Sequence, residues 1–223
     1  NIITGDGTTG SLIVNHKDIN KIAFTGSTQV GKLIQKSLAG RDVGLTLELG
    51  GKAANIVYED AAIDQAVEGV VNGIFFNQGH VCCAGSRLLL QESIHDEFIT
   101  KLEKRMQTLR VGNPLDKNTD IGAVNSKEQL NKIEELVNEG VSDGGKIFQT
   151  ECELPGNGFW FKPTLFTDVQ PSYSIAREEI FGPVLTTLTF RTPQEAIEIA
   201  NNTEYGLSAG VWTEKGSKIL WTA

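Results

Sequence analysis

The tightest constraint on what this chain can fold into is a glycine turn set between a short strand and a helix near its start. Residues 21–24 form a short, mostly apolar run that ends in Thr25-Gly26-Ser27, after which Val30, Leu33, Ile34 and Leu38 recur at helical spacing. Gly40 stands where a helix end calls for a residue that turns left-handed without cost. A second alternating apolar run, residues 45–49, stops at Gly50-Gly51, and a third strand follows over residues 55–58. Strands that alternate with short helices imply an α/β layer built on a parallel sheet.

The same rhythm continues. Ile63, Ala66, Val67, Val70, Val71, Ile74 and Phe75 fall at steps of three and four behind Asp60, which reads as the N-cap of a strongly amphipathic helix. That helix runs into the small and polar segment Asn77-Gln78-Gly79-His80-Val81-Cys82-Cys83-Ala84-Gly85, read here as extended, ahead of a strand over residues 87–90. Ser93 opens a helix with Phe98, Leu102, Met106 and Leu109 on one face. Ser126 and Gln129 form a capping box, and Thr192-Pro193-Gln194-Glu195 forms another with proline at the first helical position. Residues 184–190 and 208–212 read as strands, and residues 144–158 as a loop too short to separate domains.

Charge and cysteine usage narrow the function. A net charge of −8 with no basic run argues against nucleic acid as a partner, because phosphate binding needs a clustered cationic surface. No stretch approaches the roughly 20 apolar residues of a membrane span. Three cysteines, two of them adjacent, do not make a disulfide framework and suit a reducing, cytoplasmic compartment. The chain opens on Asn1, so a targeting segment upstream stays open.

Three segments are able to carry chemistry. Gly26-Ser27-Thr28-Gln29-Val30-Gly31-Lys32 has the spacing of a phosphate loop, but Leu33 stands where a magnesium-holding serine or threonine belongs, so an ATPase reading fails. Backbone N–H groups at such a turn still face an anion; a plain structural turn is the alternative. In Leu47-Glu48-Leu49-Gly50-Gly51-Lys52 a single carboxylate between leucines suits a general base, against the alternative of a solvated surface glutamate. In the Cys82-Cys83 pair one thiolate is a candidate nucleophile, against a buried cysteine acting as a small hydrophobe. His80, two residues before Cys82, raises a cysteine-hydrolase dyad, although partners in such dyads usually lie far apart in sequence.

Taken together, Phe24-Thr25-Gly26-Ser27-Thr28-Gln29-Val30-Gly31, Leu47-Glu48-Leu49-Gly50-Gly51-Lys52, Asn77-Gln78-Gly79-His80-Val81-Cys82 and Glu178-Glu179-Ile180-Phe181-Gly182-Pro183 resemble, in order, four signatures of the aldehyde dehydrogenase superfamily. The resemblance runs from Asn1 through Tyr205-Gly206-Leu207-Ser208. It implies Cys82 as nucleophile, with Cys83 a bystander, and Glu48 as general base. It implies Gly26, Ser27 and Gly31 around a cofactor pyrophosphate, Val30 beside the adenine, Glu179 on the nicotinamide ribose and Phe181 near the nicotinamide ring. The pattern departs at His80, where glutamine is usual.

What the resemblance implies for the whole is an NAD(P)-dependent oxidation of an aldehyde to a carboxylic acid through a cysteine thiohemiacetal and thioester, with NAD favoured over NADP, in a homo-oligomer. The fold expected is α/β, the end of a Rossmann-like cofactor domain over residues 1–50 followed by an α/β catalytic domain over residues 51–223, truncated at both ends. The tryptophan-asparagine segment that supplies an oxyanion donor in the family is not among these residues. Val67-Glu68-Gly69-Val70-Val71 and Leu90-Gln91-Glu92-Ser93 are similar to family sixteen of the superfamily, some members of which are thought non-catalytic. An aldehyde-dehydrogenase-like scaffold acting by protein interaction is therefore the rival reading, and the retained Cys82 and Glu48 weigh against it.

Overall fold

The computed structural model describes residues 1–223, and their contacts divide into two compact units, Asn1–Gly50 and Gly51–Ala223. The first contains helix α1 (Gly7–Asn15), strand β1 (Lys21–Thr25), helix α2 (Thr28–Leu38) and strand β2 (Gly44–Glu48). β1 and β2 pair in parallel, with Ile22 opposite Leu45 and Phe24 opposite Leu47. Their core is small: Val14, Ile22, Ile34 and Leu38 are buried, with Phe24, Val43 and Leu45 packed against them. Sequence periodicity does not signal α1, whose residues include two glycines and four β-branched side chains of low helix propensity. Asp6 starts it by accepting from the Thr8 and Thr9 N–H groups at 2.9 and 3.4 Å.

In the larger unit β3 (Ala54–Val57), α3 (Ile63–Phe75), β4 (Arg87–Gln91), α4 (His95–Met106), α5 (Lys127–Ser142), β5 (Lys146–Gln149), β6 (Thr164–Thr167), α6 (Ser174–Arg177), β7 (Val184–Phe190), α7 (Pro193–Asn201), β8 (Ala209–Trp212) and α8 (Gly216–Thr222) follow in turn. Its six strands lie in the order β5-β6-β7-β4-β3-β8. Alternation decides which side chain meets which layer. Leu88 and Leu90 of β4 join the buried face of α3 and α4, whereas Leu89 between them joins α5, α6 and β7. Both faces are covered, and the central strand reads as an unbroken apolar run after Arg87.

The sheet is mixed where a parallel one was expected, because β5 pairs antiparallel to β6 inside the segment read as loop. β5 is an edge strand with three exposed residues of four, so it lacks the alternation that marks a half-buried strand. Two cap assignments also change. α3 is preceded by Ala62 with no side-chain cap; Asp60 instead accepts from Thr213 Oγ1 at 2.9 Å and Lys218 Nζ at 2.8 Å. Ser93 lies in a short 3-10 turn, Glu92–Ile94, and donates to Glu59 at 3.0 Å rather than capping α4. In both cases a distant polar partner outcompetes the local cap.

Candidate active site

Within the first unit the glycine turn behaves as a helix entry. Ser27 is the N-cap of α2, and its Oγ accepts from the Val30 N–H at 3.3 Å. The Gly26 N–H donates to the Glu48 carbonyl at 3.0 Å, which ties the turn to the end of β2 and leaves the Glu48 side chain exposed. Gly31 lies on the buried face of α2, where a Cβ would sit 2.6 Å from Leu49 Cδ2. A side chain there would have to displace the tip of Leu49, so glycine lets the helix pack close to the end of β2. Val30 and Leu33 remain exposed and line, with Phe24 and residues of α1, a largely apolar cavity of about 600 Å³.

The larger unit holds Cys82 on a chain reversal, not on the extended segment expected. After α3, Asn77, Gln78 and Gly79 take left-handed φ values of 49°, 48° and 76° in succession. Asparagine tolerates that region better than most residues. The turn is fastened by the His80 N–H donating to the Asn77 carbonyl at 2.9 Å and by Asn77 Nδ2 donating to the His80 carbonyl at 3.1 Å. Cys82 is half-buried and Cys83 exposed, both as free thiols. Gly51 approaches so closely that a Cβ on it would stand 2.3 Å from the Cys82 carbonyl oxygen. The Gly51 N–H in turn donates to Glu179 Oε1 at 3.0 Å, so one glycine joins the Cys82 segment to the Glu178-to-Pro183 segment.

That second segment is held in strain. Phe181 has φ 54°, a conformation that costs a bulky L-residue on the order of 1–3 kcal/mol and persists only where its surroundings impose it. Gln129 imposes it: its Nε2 donates to the Ile180 and Phe181 carbonyls at 2.8 and 3.0 Å. Only half of the expected capping box therefore forms, with Ser126 Oγ accepting from the Gln129 N–H at 3.1 Å while the glutamine side chain reaches out of the helix. Gly79 packs on Gly182, where a Cβ would lie 2.0 Å from the Gly182 carbonyl oxygen. The His80 ring stacks on Phe181 at 5.1 Å between centroids and 18° between planes. Its Nδ1 lies 3.3 Å from Gln78 Nε2 and its Nε2 is buried without a partner, so no imidazole–thiol dyad forms.

Two buried cations were not picked out by sequence. Arg87 donates to the Lys52, Ile199 and Ala200 carbonyls at 2.9, 3.0 and 2.7 Å, closing the C-terminus of α7, and burial pulls its pKa down to about 10. Lys52 is buried with Nζ unpartnered; burial first, then Arg87, pulls its pKa down to about 7 against the opposing pull of Glu179.

Residues 1–223 match the aldehyde dehydrogenase family throughout. Retinal dehydrogenase 2 of Homo sapiens is 48% identical over 226 residues, which cover 99% of this chain and 43% of that protein. The same figures hold for retinal dehydrogenase 2 of Taeniopygia guttata, at 48% identity and 43% coverage. The NAD-dependent aldehyde dehydrogenase of Sinorhizobium meliloti superposes with a TM-score of 0.95 at 40% identity, over 99% of this chain and 44% of that one. Betaine aldehyde dehydrogenase of Staphylococcus aureus, solved with NAD+, gives 0.94 at 38% identity, over 99% and 45%. The chain thus spans less than half the length of the relatives it matches. With its whole length matched, its α/β architecture shared and its four signatures in order, the chain belongs to the aldehyde dehydrogenase family.

Proposed function

We propose that the protein oxidises an aldehyde to a carboxylic acid with NAD, Cys82 serving as nucleophile and Glu48 as general base. The observation that carries this reading is the union, through Gly51, of the turn bearing Cys82 with the segment bearing Glu179 and Phe181. Cys82 Sγ, as the thiolate, adds to the aldehyde carbonyl carbon and gives a thiohemiacetal oxyanion, to which the Cys82 backbone N–H would donate. A dinucleotide bound by these residues would supply the hydride acceptor, and loss of the hydride from the carbon held by Cys82 would leave a thioester on its sulfur. Glu48 then takes a proton from the water that attacks the thioester carbon, which releases the acid and frees the sulfur.

Each unit, taken by itself, offers groups that suit a part of such a cofactor. The N–H groups at the start of α2 that Ser27 does not cap suit a pyrophosphate, and the apolar cavity beside Val30 has room for an adenine ring. Glu179 and Phe181 offer a carboxylate for ribose hydroxyls and a ring face for nicotinamide. NAD rather than NADP is favoured because solved relatives carry NAD+. A homo-oligomer in a reducing, cytoplasmic compartment belongs to the same reading, and the free cysteines support the compartment.

Rapid-mixing absorbance on the intact protein tests the two roles. Cys82→Ala should abolish both the burst of reduced cofactor and steady turnover. Glu48→Gln should keep a burst and slow the turnover, as thioester accumulates. Equal loss of burst and turnover in the glutamine variant would remove Glu48 from the water step.

A further inference from the structure

We infer that His80 is a positioning residue: its imidazole, stacked on Phe181, holds that ring against the turn that carries Cys82. The inference rests on the proposed dehydrogenase reading, which gives Phe181 a cofactor to meet.

The Phe181 ring rests on the His80 imidazole. Gln129 fastens the backbone of the segment through the Ile180 and Phe181 carbonyls, but those bonds fix a strained φ and not the direction of the side chain. The ring lies nearly parallel to the His80 imidazole, offset at 5.1 Å, an arrangement in which flat faces attract beyond the area they bury. The two backbones are already in contact one residue earlier, where Gly79 meets the Gly182 carbonyl. The stack is thus a short strut beside a fixed pivot.

His80 is itself constrained. Its backbone N–H and carbonyl are both engaged by Asn77, and Gln78 Nε2 faces Nδ1 at 3.3 Å, its one side-chain polar partner. With that amide donating, Nδ1 is the acceptor and the single proton of a neutral imidazole sits on Nε2, which is buried and unpartnered. Burial pulls the pKa of the ring below its usual value, and no acidic or basic side chain pairs with it, so the stacked form is the uncharged one. An unmatched buried nitrogen destabilises the fold; a ring that bears this cost only to fill space would be better replaced by an apolar one. Its flat face toward Phe181 gives it a use.

Titration of the intact protein with NAD and, separately, with ADP-ribose, which lacks nicotinamide, separates this role from simple packing. His80→Ala should weaken NAD about 3- to 10-fold, the range expected for one lost stack, and leave ADP-ribose unchanged. His80→Leu keeps the bulk without the flat face and should show the same loss, which guards against collapse of the alanine variant. His80→Phe keeps the face and should bind both ligands as the wild type does. Unchanged NAD affinity in the alanine and leucine variants, or an equal fall for ADP-ribose, would overturn the inference. Failure of the wild type to bind NAD at all would instead overturn the dehydrogenase reading, and His80 with it.

Discussion

The turn that opens α2 and the turn that carries Cys82 both reverse the chain at glycines, yet they are held by different means. The first is fastened locally: Ser27 caps its own helix, and Gly26 bonds the neighbouring strand of a two-stranded sheet over a four-residue buried core. The second is fastened from far along the chain, by Gln129, by Glu179 128 residues beyond Gly51, and by Gly182 packed on Gly79. The same unit also buries two basic side chains, Lys52 and Arg87. A local cap presents backbone N–H groups, for which rough placement suffices. The nucleophile proposed at Cys82 and the ring proposed to meet the cofactor would need fixed separations, which tertiary contacts supply.

The contrast predicts where substitutions weigh most. Folded Lys52 releases its proton near pH 7, whereas the unfolded chain keeps it up to about 10.5. Across that window the unfolded state binds more protons, so stability rises with pH, by on the order of 5 kcal/mol in full, and flattens below pH 7. Lys52→Met should erase this slope in guanidinium midpoints measured from pH 7 to 10. Parallel curves for the two proteins would show that Lys52 finds a partner in solution.

Arg87→Ala deprives three carbonyls of a charged donor and should cost roughly 3–5 kcal/mol in the same unfolding measurement. A cost under about 1 kcal/mol would mean that water replaces the guanidinium and that the C-terminus of α7 needs no side chain. Ser27→Ala should cost only about 0.5–1 kcal/mol, since its bond is long and exposed. A loss as large as that of Arg87 would break the contrast between local and distant support.

The same contrast explains what was legible beforehand. Strand β7 could be read as a short run of apolar and β-branched residues, the hydrophobic face of α3 because burial imposes a helical period, and the Gly26 turn because its fastening is local. Cys82 stood out by residue type, but the left-handed run through Asn77 and Gln78 did not, since neither residue demands it. Gln129 looked like half of a capping box and proved to be the clamp on Phe181. Lys52 and Arg87 went unnoticed, although an arginine opening the run Leu88-Leu89-Leu90 is a cation entering a strand buried on both faces. Edge strand β5 gave no signal because its exposed side chains obey no period.

Selective alkylation tests most directly the claim that the Cys82 turn is built for a nucleophile. Exposure alone ranks Cys83 first, since it is exposed while Cys82 and Cys152 are half-buried. A nucleophile held ready for a carbonyl carbon reverses that order. Brief treatment of the folded protein with iodoacetamide, followed by peptide mass spectrometry, should find Cys82 modified well ahead of Cys83 and Cys152. Labelling that follows exposure, with Cys83 first or equal, would contradict the assignment of Cys82.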